Sequence, residues 1–177
     1  MQGVPEMIRI NLPLEHQLLA AKGGLFRAEN YIPQWTKQAH SFPKKKQYGE
    51  LTFPELVLRQ TEAFAAECAV AQYLKQPLPE WDNRNYKIKA DVGRDIEVKW
   101  AKYENSPLII QTWDRDDDVA ILVVGKSPCY YLVGWLPVAV AKQPKYRHDQ
   151  QGNYWVTQIN LQPMENLERS NYGTHRL

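Results

Sequence analysis

Residues 91–100 read Asp-Val-Gly-Arg-Asp-Ile-Glu-Val-Lys-Trp, and this stretch decides both the fold and the chemistry that we expect. From Asp95 onward, polar and apolar residues alternate, which is typical of a β-strand with one buried face. Side chains alternate between the two faces of a strand, so Glu97 and Lys99 share one face and the apolar residues between them share the other. The Val-Gly-Arg that precedes the strand indicates a tight turn.

A second strand is predicted over residues 86–91, paired with residues 95–100 as a hairpin. This pairing would bring Asp91 close to Glu97. Two convergent carboxylates suit a hard cation such as Mg²⁺, which prefers oxygen ligands and keeps several waters. Such a metal activates water, and the ammonium of Lys99 can orient that water and stabilise developing negative charge, as phosphodiester hydrolysis requires. The same alternation is also what any half-buried strand with a solvated face shows, and this alternative stays open.

The helix before this hairpin is the clearest element of the sequence. Thr-Phe-Pro-Glu at residues 52–55 has the form of a capping box, and Pro77 cannot continue a helix, so we predict a helix over residues 52–76. Glu67 falls within its apolar stripe, where an unpaired carboxylate is costly. Glu62 is predicted on the opposite, solvated face.

Shorter patterns organise the rest of the chain. We predict a strand at residues 7–12, a helix at 14–22 and irregular chain to residue 50. Further strands are predicted at residues 108–111, 119–124, 129–135 and 154–160, and the acidic run at residues 114–118 is expected to be a solvated loop. A basic stretch between aromatic residues is our candidate for DNA contact, although a solvated charge run explains it equally well; it consists of Lys44, Lys45, Lys46 and Tyr48.

Composition excludes several classes of protein. The 177 residues suffice for a single domain, and no apolar run approaches the ~20 residues of a membrane helix. Cys68 and Cys129 form no metal or disulfide pattern, so we expect two reduced thiols in a cytoplasmic protein. The four histidines form no metalloprotease motif, and the glycines form no phosphate-binding loop.

The order of these motifs resembles the PD-(D/E)XK nuclease superfamily, which includes restriction endonucleases, Holliday junction resolvases and phage nucleases. The resemblance covers about residues 52–135. It implies an α/β fold with an αβββαβ core and a mixed sheet, in which Asp91 and Glu97 hold the metal and Lys99 is catalytic. It also implies that Glu67 is an additional acidic site residue and that the carbonyl of Val98 is a metal ligand.

The resemblance divides the chain into three parts of a single domain. Residues 1–50 would be an N-terminal extension packed on the core, residues 51–142 the nuclease core, and residues 143–177 a C-terminal strand and tail. The predicted core includes a helix after the third core strand, for which residues 136–142 are the nearest segment.

The function that the resemblance implies is hydrolysis of DNA by a nuclease that uses Mg²⁺, with Mn²⁺ as a substitute. Many relatives dimerise to cut two strands, so a homodimer is one arrangement to test. The alternative is a non-catalytic nucleic-acid-binding or assembly protein with the same fold. A third hypothesis, a protein adaptor that uses exposed aromatics such as Trp35 and Trp155, rests on composition alone.

Overall fold

The fold is known from a computed structural model that describes residues 3, 5–39, 51–85 and 88–170. The predicted DNA-contact residues Lys44, Lys45, Lys46 and Tyr48 lie outside the described residues. The elements, in chain order, are β1 (Ile8–Asn11), α1 (Leu14–Ala39), α2 (Phe53–Tyr73), β2 (Ile96–Ala101), β3 (Leu108–Ile110), β4 (Val119–Lys126), β5 (Cys129–Pro137), α3 (Val138–Ala141), β6 (Arg147–His148), β7 (Asn153–Val156) and α4 (Glu165–Arg169).

Two sheets form the β structure, and together with the helices they make a mixed α/β fold. The main sheet has the strand order β1-β5-β4-β2, in which β2 runs parallel to β4 and the other neighbours are antiparallel. The central strand β4 is buried on both faces over residues 119–124, as its continuous apolar sequence predicts. The prediction of a mixed sheet is therefore confirmed, and β2 lies at one edge of it.

The smaller sheet has the order β3-β7-β6 and is antiparallel throughout. One of its faces packs on the main sheet through Leu108, Ile110 and Val156, which are fully buried. Ile109 and Trp155 pair across its opposite face. This outer face borders the edge of β2.

Helix α2 forms where the capping box predicts it. The Thr52 hydroxyl accepts a hydrogen bond from the Glu55 N–H, and a carboxylate oxygen of Glu55 accepts one from the Thr52 N–H at 2.6 Å. The helix ends at Tyr73, slightly before the predicted residue 76, and Lys75 then adopts a left-handed conformation with φ of 53°. The second half of α2 is buried against the main sheet.

Helix α1 is much longer than the prediction of residues 14–22, since it continues through Gly23 and Gly24 to Ala39. The predicted helix ends just before these two glycines. They instead allow close packing on α2, because a Cβ added at Gly23 would overlap the Phe64 ring and one at Gly24 would overlap Thr61. Tertiary packing thus overrides the low helix propensity of glycine here.

The αβββαβ core is not confirmed in the described residues. Residues 88–91 form turns and bends, so the predicted strand at 86–91 is wrong in its described part, and β3 belongs to the smaller sheet. The helix expected within residues 136–142 is the short α3, because Leu136 still belongs to β5. Within the described residues, no helix has the length and apolar character to cross a membrane.

Candidate functional site

A tight turn, not a hairpin of two strands, brings Asp91 to the edge of β2. The N–H groups of Asp91 and Val92 both donate to the Ile96 carbonyl, at 2.9 and 3.2 Å, and the Ile96 N–H donates back to Val92. Gly93 supplies the left-handed residue that this turn needs, with φ of 61°. Asp91 therefore lies beside β2, as predicted. Residues 88–91, however, do not form the strand that was predicted to pair with β2.

The carboxylate of Asp91 is fixed against the open edge of β2. One of its oxygens accepts a hydrogen bond from the Val98 N–H at 2.7 Å. Backbone groups of successive strand residues point to opposite edges, and the Asp95 carbonyl already bonds to Val119 of β4. The Val98 carbonyl consequently points to the open edge, on the side where Asp91 lies.

Glu97 and Lys99 lie on one face of β2, as the alternation predicts, and they form an ion pair. The Lys99 Nζ lies 2.8 Å from the Glu97 Oε1 and 2.9 Å from the Asp114 Oδ2. Asp114 is buried and also accepts the Gln111 N–H at 2.7 Å. Lys99 is therefore held between two carboxylates, one on β2 itself and one in the turn that follows β3.

The carboxyl groups at this edge have raised pKa values. Burial raises the pKa of Asp91 well above its ordinary value, and the negative charges of Glu67 and Glu97 raise it further. Burial also raises the pKa of Glu97, although Lys99 opposes this shift. Burial lowers the pKa of Lys99, but the charges of Glu97 and Asp114 outweigh it and leave the net pKa raised. Burial is thus the main cause of the raised pKa values of the two carboxyl groups.

The acidic run at residues 114–118 is not a solvated loop throughout, so that prediction is corrected. Asp114 and Asp118 are buried, and Asp118 forms a bidentate pair with Arg115 at 2.8 and 2.9 Å. The charges of Glu97 and Asp91 contribute to a raised pKa of Arg115, after the hydrogen bond to Asp118. The sequence signal for a buried Asp114 was its position three residues after Gln111, which ends a predicted strand. The acidity of the whole run concealed this signal.

Glu67 has a different environment from the one implied for it. It is 4% exposed, and both of its carboxylate oxygens accept hydrogen bonds from the Arg27 guanidinium, at 2.6 and 2.8 Å. Arg27 is itself 6% exposed and lies over the Phe64 ring. The structure brings Glu67 close enough to affect Asp91, but it assigns both of its oxygens to an arginine of α1.

Glu62 is half-buried, so its predicted position on a solvated face is wrong. One carboxylate oxygen accepts the Tyr130 hydroxyl at 2.6 Å and the Ser127 N–H at 3.0 Å. These contacts tie α2 to the turn between β4 and β5.

Cys68 is a fully buried core residue, as expected, and burial raises the pKa of its thiol to about 12.

The donor set at the edge of β2 fits a magnesium ion. Mg²⁺ in proteins takes one or two carboxylates and completes its coordination with water and phosphate oxygens. Asp91 and Glu97 supply two carboxylates whose pKa values are raised by burial, and the Val98 carbonyl supplies a third oxygen. In the described parts of the chain, no three His, Cys, Asp or Glu side chains come together as a metal cage.

Comparison with protein-family models, with curated proteins and with solved structures finds no match to this chain. The case for a function consequently depends on the geometry at the edge of β2.

Proposed function

We propose that the chain is a metal-dependent deoxyribonuclease of the PD-(D/E)XK type, which hydrolyses phosphodiester bonds at the open edge of β2. The observation that supports this most strongly is the position of Asp91. Its carboxylate accepts the Val98 N–H and is close enough to Glu97 to be affected by its charge, and Glu97 in turn contacts Lys99, which supports a joint role of these three residues in such hydrolysis.

Asp91, Glu97 and the Val98 carbonyl would hold the metal. A bound Mg²⁺ would lower the pKa of a water molecule that it coordinates and would offset negative charge on the phosphate. Glu67 is left out of this set because Arg27 occupies both of its oxygens.

Lys99 has two tasks in this proposal. Its ammonium group orients the attacking water and stabilises the negative charge that develops on the phosphate. Asp114 and Glu97 fix the position of this ammonium group, because Lys99 contacts both of them. A cation held in place before the reaction needs no reorganisation in the transition state.

A non-catalytic nucleic-acid-binding protein with the same fold is the second candidate. The observation in its favour is that Lys99 already has two carboxylate partners, as in a purely structural ion pair. In that case the cluster would only stabilise the edge of the sheet, and DNA would be bound without being cut.

The test is cleavage of supercoiled, linear and single-stranded DNA with Mg²⁺, Mn²⁺ or EDTA. We expect cleavage with either metal, none with EDTA, and none by Lys99→Ala. The matched control is Lys102→Ala, because Lys102 is an exposed lysine just beyond the end of β2. An absence of cleavage by folded wild-type protein with both metals would refute the proposal and favour the binding protein.

A further inference from the structure

A cleft of about 530 Å³ lies beside the open edge of β2. Arg59 and neighbouring residues of α2 line one side of it, and residues 98–101 of β2 line its base. The opposite side is the outer face of the smaller sheet, with Ile109 and Trp155. Since Val98 and Lys99 belong both to the cleft and to the candidate active site, a ligand in the cleft would lie directly next to that site.

Trp155 forms a rigid aromatic surface in this cleft. Its ring stacks on the ring of His148, with centroids 4.2 Å apart and an interplanar angle of 26°. Its indole N–H donates to the Asn153 side chain at 2.8 Å, which fixes the rotation of the ring. Trp155 nevertheless remains 37% exposed. An exposed aromatic ring whose orientation is set in advance is a suitable platform for a flat ligand.

The chemistry of the cleft favours an anion that carries hydrogen-bonding groups. Its lining includes the cations Arg59 and Lys99, and none of the described residues that line it is Asp or Glu; the two carboxylates that pair with Lys99, Glu97 and Asp114, lie outside the lining. The amides of Gln111 and Asn153 also line it and can both donate and accept hydrogen bonds. The volume falls within the range of about 300–1,000 Å³ that is usual for small-ligand sites.

We propose that this cleft binds an unpaired DNA nucleotide, with its base stacked on Trp155 and its phosphate directed towards Lys99. The proposal rests on the nuclease function proposed above and specifies the substrate class. Within a duplex both faces of an internal base are covered by its neighbours, so only a single-stranded or extruded nucleotide can stack on a tryptophan. The enzyme would accordingly prefer single-stranded DNA or strand junctions over continuous duplex.

The experiment measures binding of a fluorescein-labelled single-stranded oligodeoxynucleotide by fluorescence anisotropy, in EDTA so that no cleavage occurs. Stacking of a base contributes enough that we expect Trp155→Ala to raise Kd roughly 5- to 150-fold. Trp155→Phe should retain most of the affinity. Trp81→Ala is the matched control, because Trp81 is 42% exposed but lies against Phe26 of α1 and does not line the cleft. Thermal melting of each variant checks that it is folded.

We expect Trp155→Ala alone to lose affinity for single-stranded DNA. The wild type should bind duplex DNA more weakly than single-stranded DNA, and Trp155→Ala should leave the duplex affinity unchanged. Unchanged single-strand affinity in folded Trp155→Ala, no detectable binding by the wild type, or an equal loss for duplex would each overturn the proposal. A preference for RNA of the same sequence through Trp155 would overturn the assignment to DNA. Binding through Trp155 without any metal-dependent cleavage would refute the nuclease and leave the cleft as a binding site. Metal-dependent cleavage by the wild type, together with unchanged single-strand affinity in Trp155→Ala, would support the nuclease and refute the proposed role of the cleft.

Discussion

Two ionic sites near Asp91 show how similar residues can serve different purposes. In the Arg27–Glu67 pair, one guanidinium satisfies both oxygens of one carboxylate, and both side chains are almost fully buried. At the edge of β2, the ammonium group of Lys99 contacts the carboxylates of Glu97 and Asp114, and Asp91 lies close enough to Glu97 for the charge of Glu97 to affect its pKa.

The difference lies in charge balance. The first site is neutral and closed, so it has no capacity for a further ligand and serves to join α1 to α2. At the second site, burial raises the pKa of Asp91 and Glu97, and repulsion from neighbouring carboxylates raises both pKa values further. An added cation would relieve that repulsion, so the comparison separates a structural ion pair from a candidate metal site.

The largest effect should come from removing a carboxylate at the open site. Asp91→Asn and Glu97→Gln should each lower the cleavage rate by at least about a thousandfold, because metal assistance contributes several kcal/mol to the reaction. The double variant Arg27→Met/Glu67→Leu, which replaces the closed pair by apolar residues, should keep the rate within several-fold. Complete loss of cleavage by the folded double variant would show that Glu67 is needed at the site, and the comparison would fail.

Breaking the closed pair alone should destabilise the fold. Arg27→Met leaves Glu67 buried without a counter-charge, which should lower the free energy of unfolding by about 3–5 kcal/mol. The double variant Arg27→Met/Glu67→Leu should recover most of this loss, since no charge then stays buried. Urea denaturation measures both changes. Equal destabilisation of the single and double variants would contradict a closed, self-compensating pair.

The open site should destabilise the fold at neutral pH. A carboxyl group whose pKa is raised in the folded state contributes stability when protonated and loses it as pH rises through the folded pKa. Asp91→Asn should therefore raise Tm at neutral pH, by about 2–4 °C for each kcal/mol of repulsion relieved. The difference should vanish below about pH 4, near the ordinary pKa of aspartate. A lower Tm of the variant at neutral pH would show that Asp91 is net stabilising.

Glu62 is a third case, in which neutral donors hold a carboxylate. Tyr130→Phe removes one hydrogen bond to Glu62 and should lower the free energy of unfolding by about 0.5–1.5 kcal/mol without any effect on cleavage. Tyr103→Phe is the control, because Tyr103 is 67% exposed. A large loss of cleavage in Tyr130→Phe would mean that the turn between β4 and β5 contributes to the site.

Local sequence patterns predicted the elements that local chemistry controls. The Thr52–Glu55 capping box places the start of α2 correctly, and the alternation in residues 95–100 places Glu97 and Lys99 on one face of β2. The apolar run of β4 likewise predicts a strand buried on both faces. Each of these features depends on residues only a few positions apart.

The errors concern contacts between distant segments. The end of α1 was predicted too early, just before Gly23 and Gly24. These glycines pack closely on α2, against residues about forty positions away, and local sequence does not show such packing. The Arg27–Glu67 pair was missed for the same reason, so Glu67 was expected to be an additional acidic residue of the site. Asp114 was assigned to solvent because nothing in the acidic run shows that Lys99 lies beside it. Such pairings depend on tertiary structure, which local periodicity does not encode.

The most direct test of the central claim is a titration of the purified protein with Mn²⁺, followed by calorimetry or electron paramagnetic resonance. Wild-type protein should bind Mn²⁺ at a saturable site, Mg²⁺ should compete for it, and Glu97→Gln should lose it while Arg27→Met/Glu67→Leu retains it. If folded wild-type protein binds no Mn²⁺, or if Glu97→Gln binds it equally well, the cluster at the edge of β2 is not a metal site and the account is contradicted.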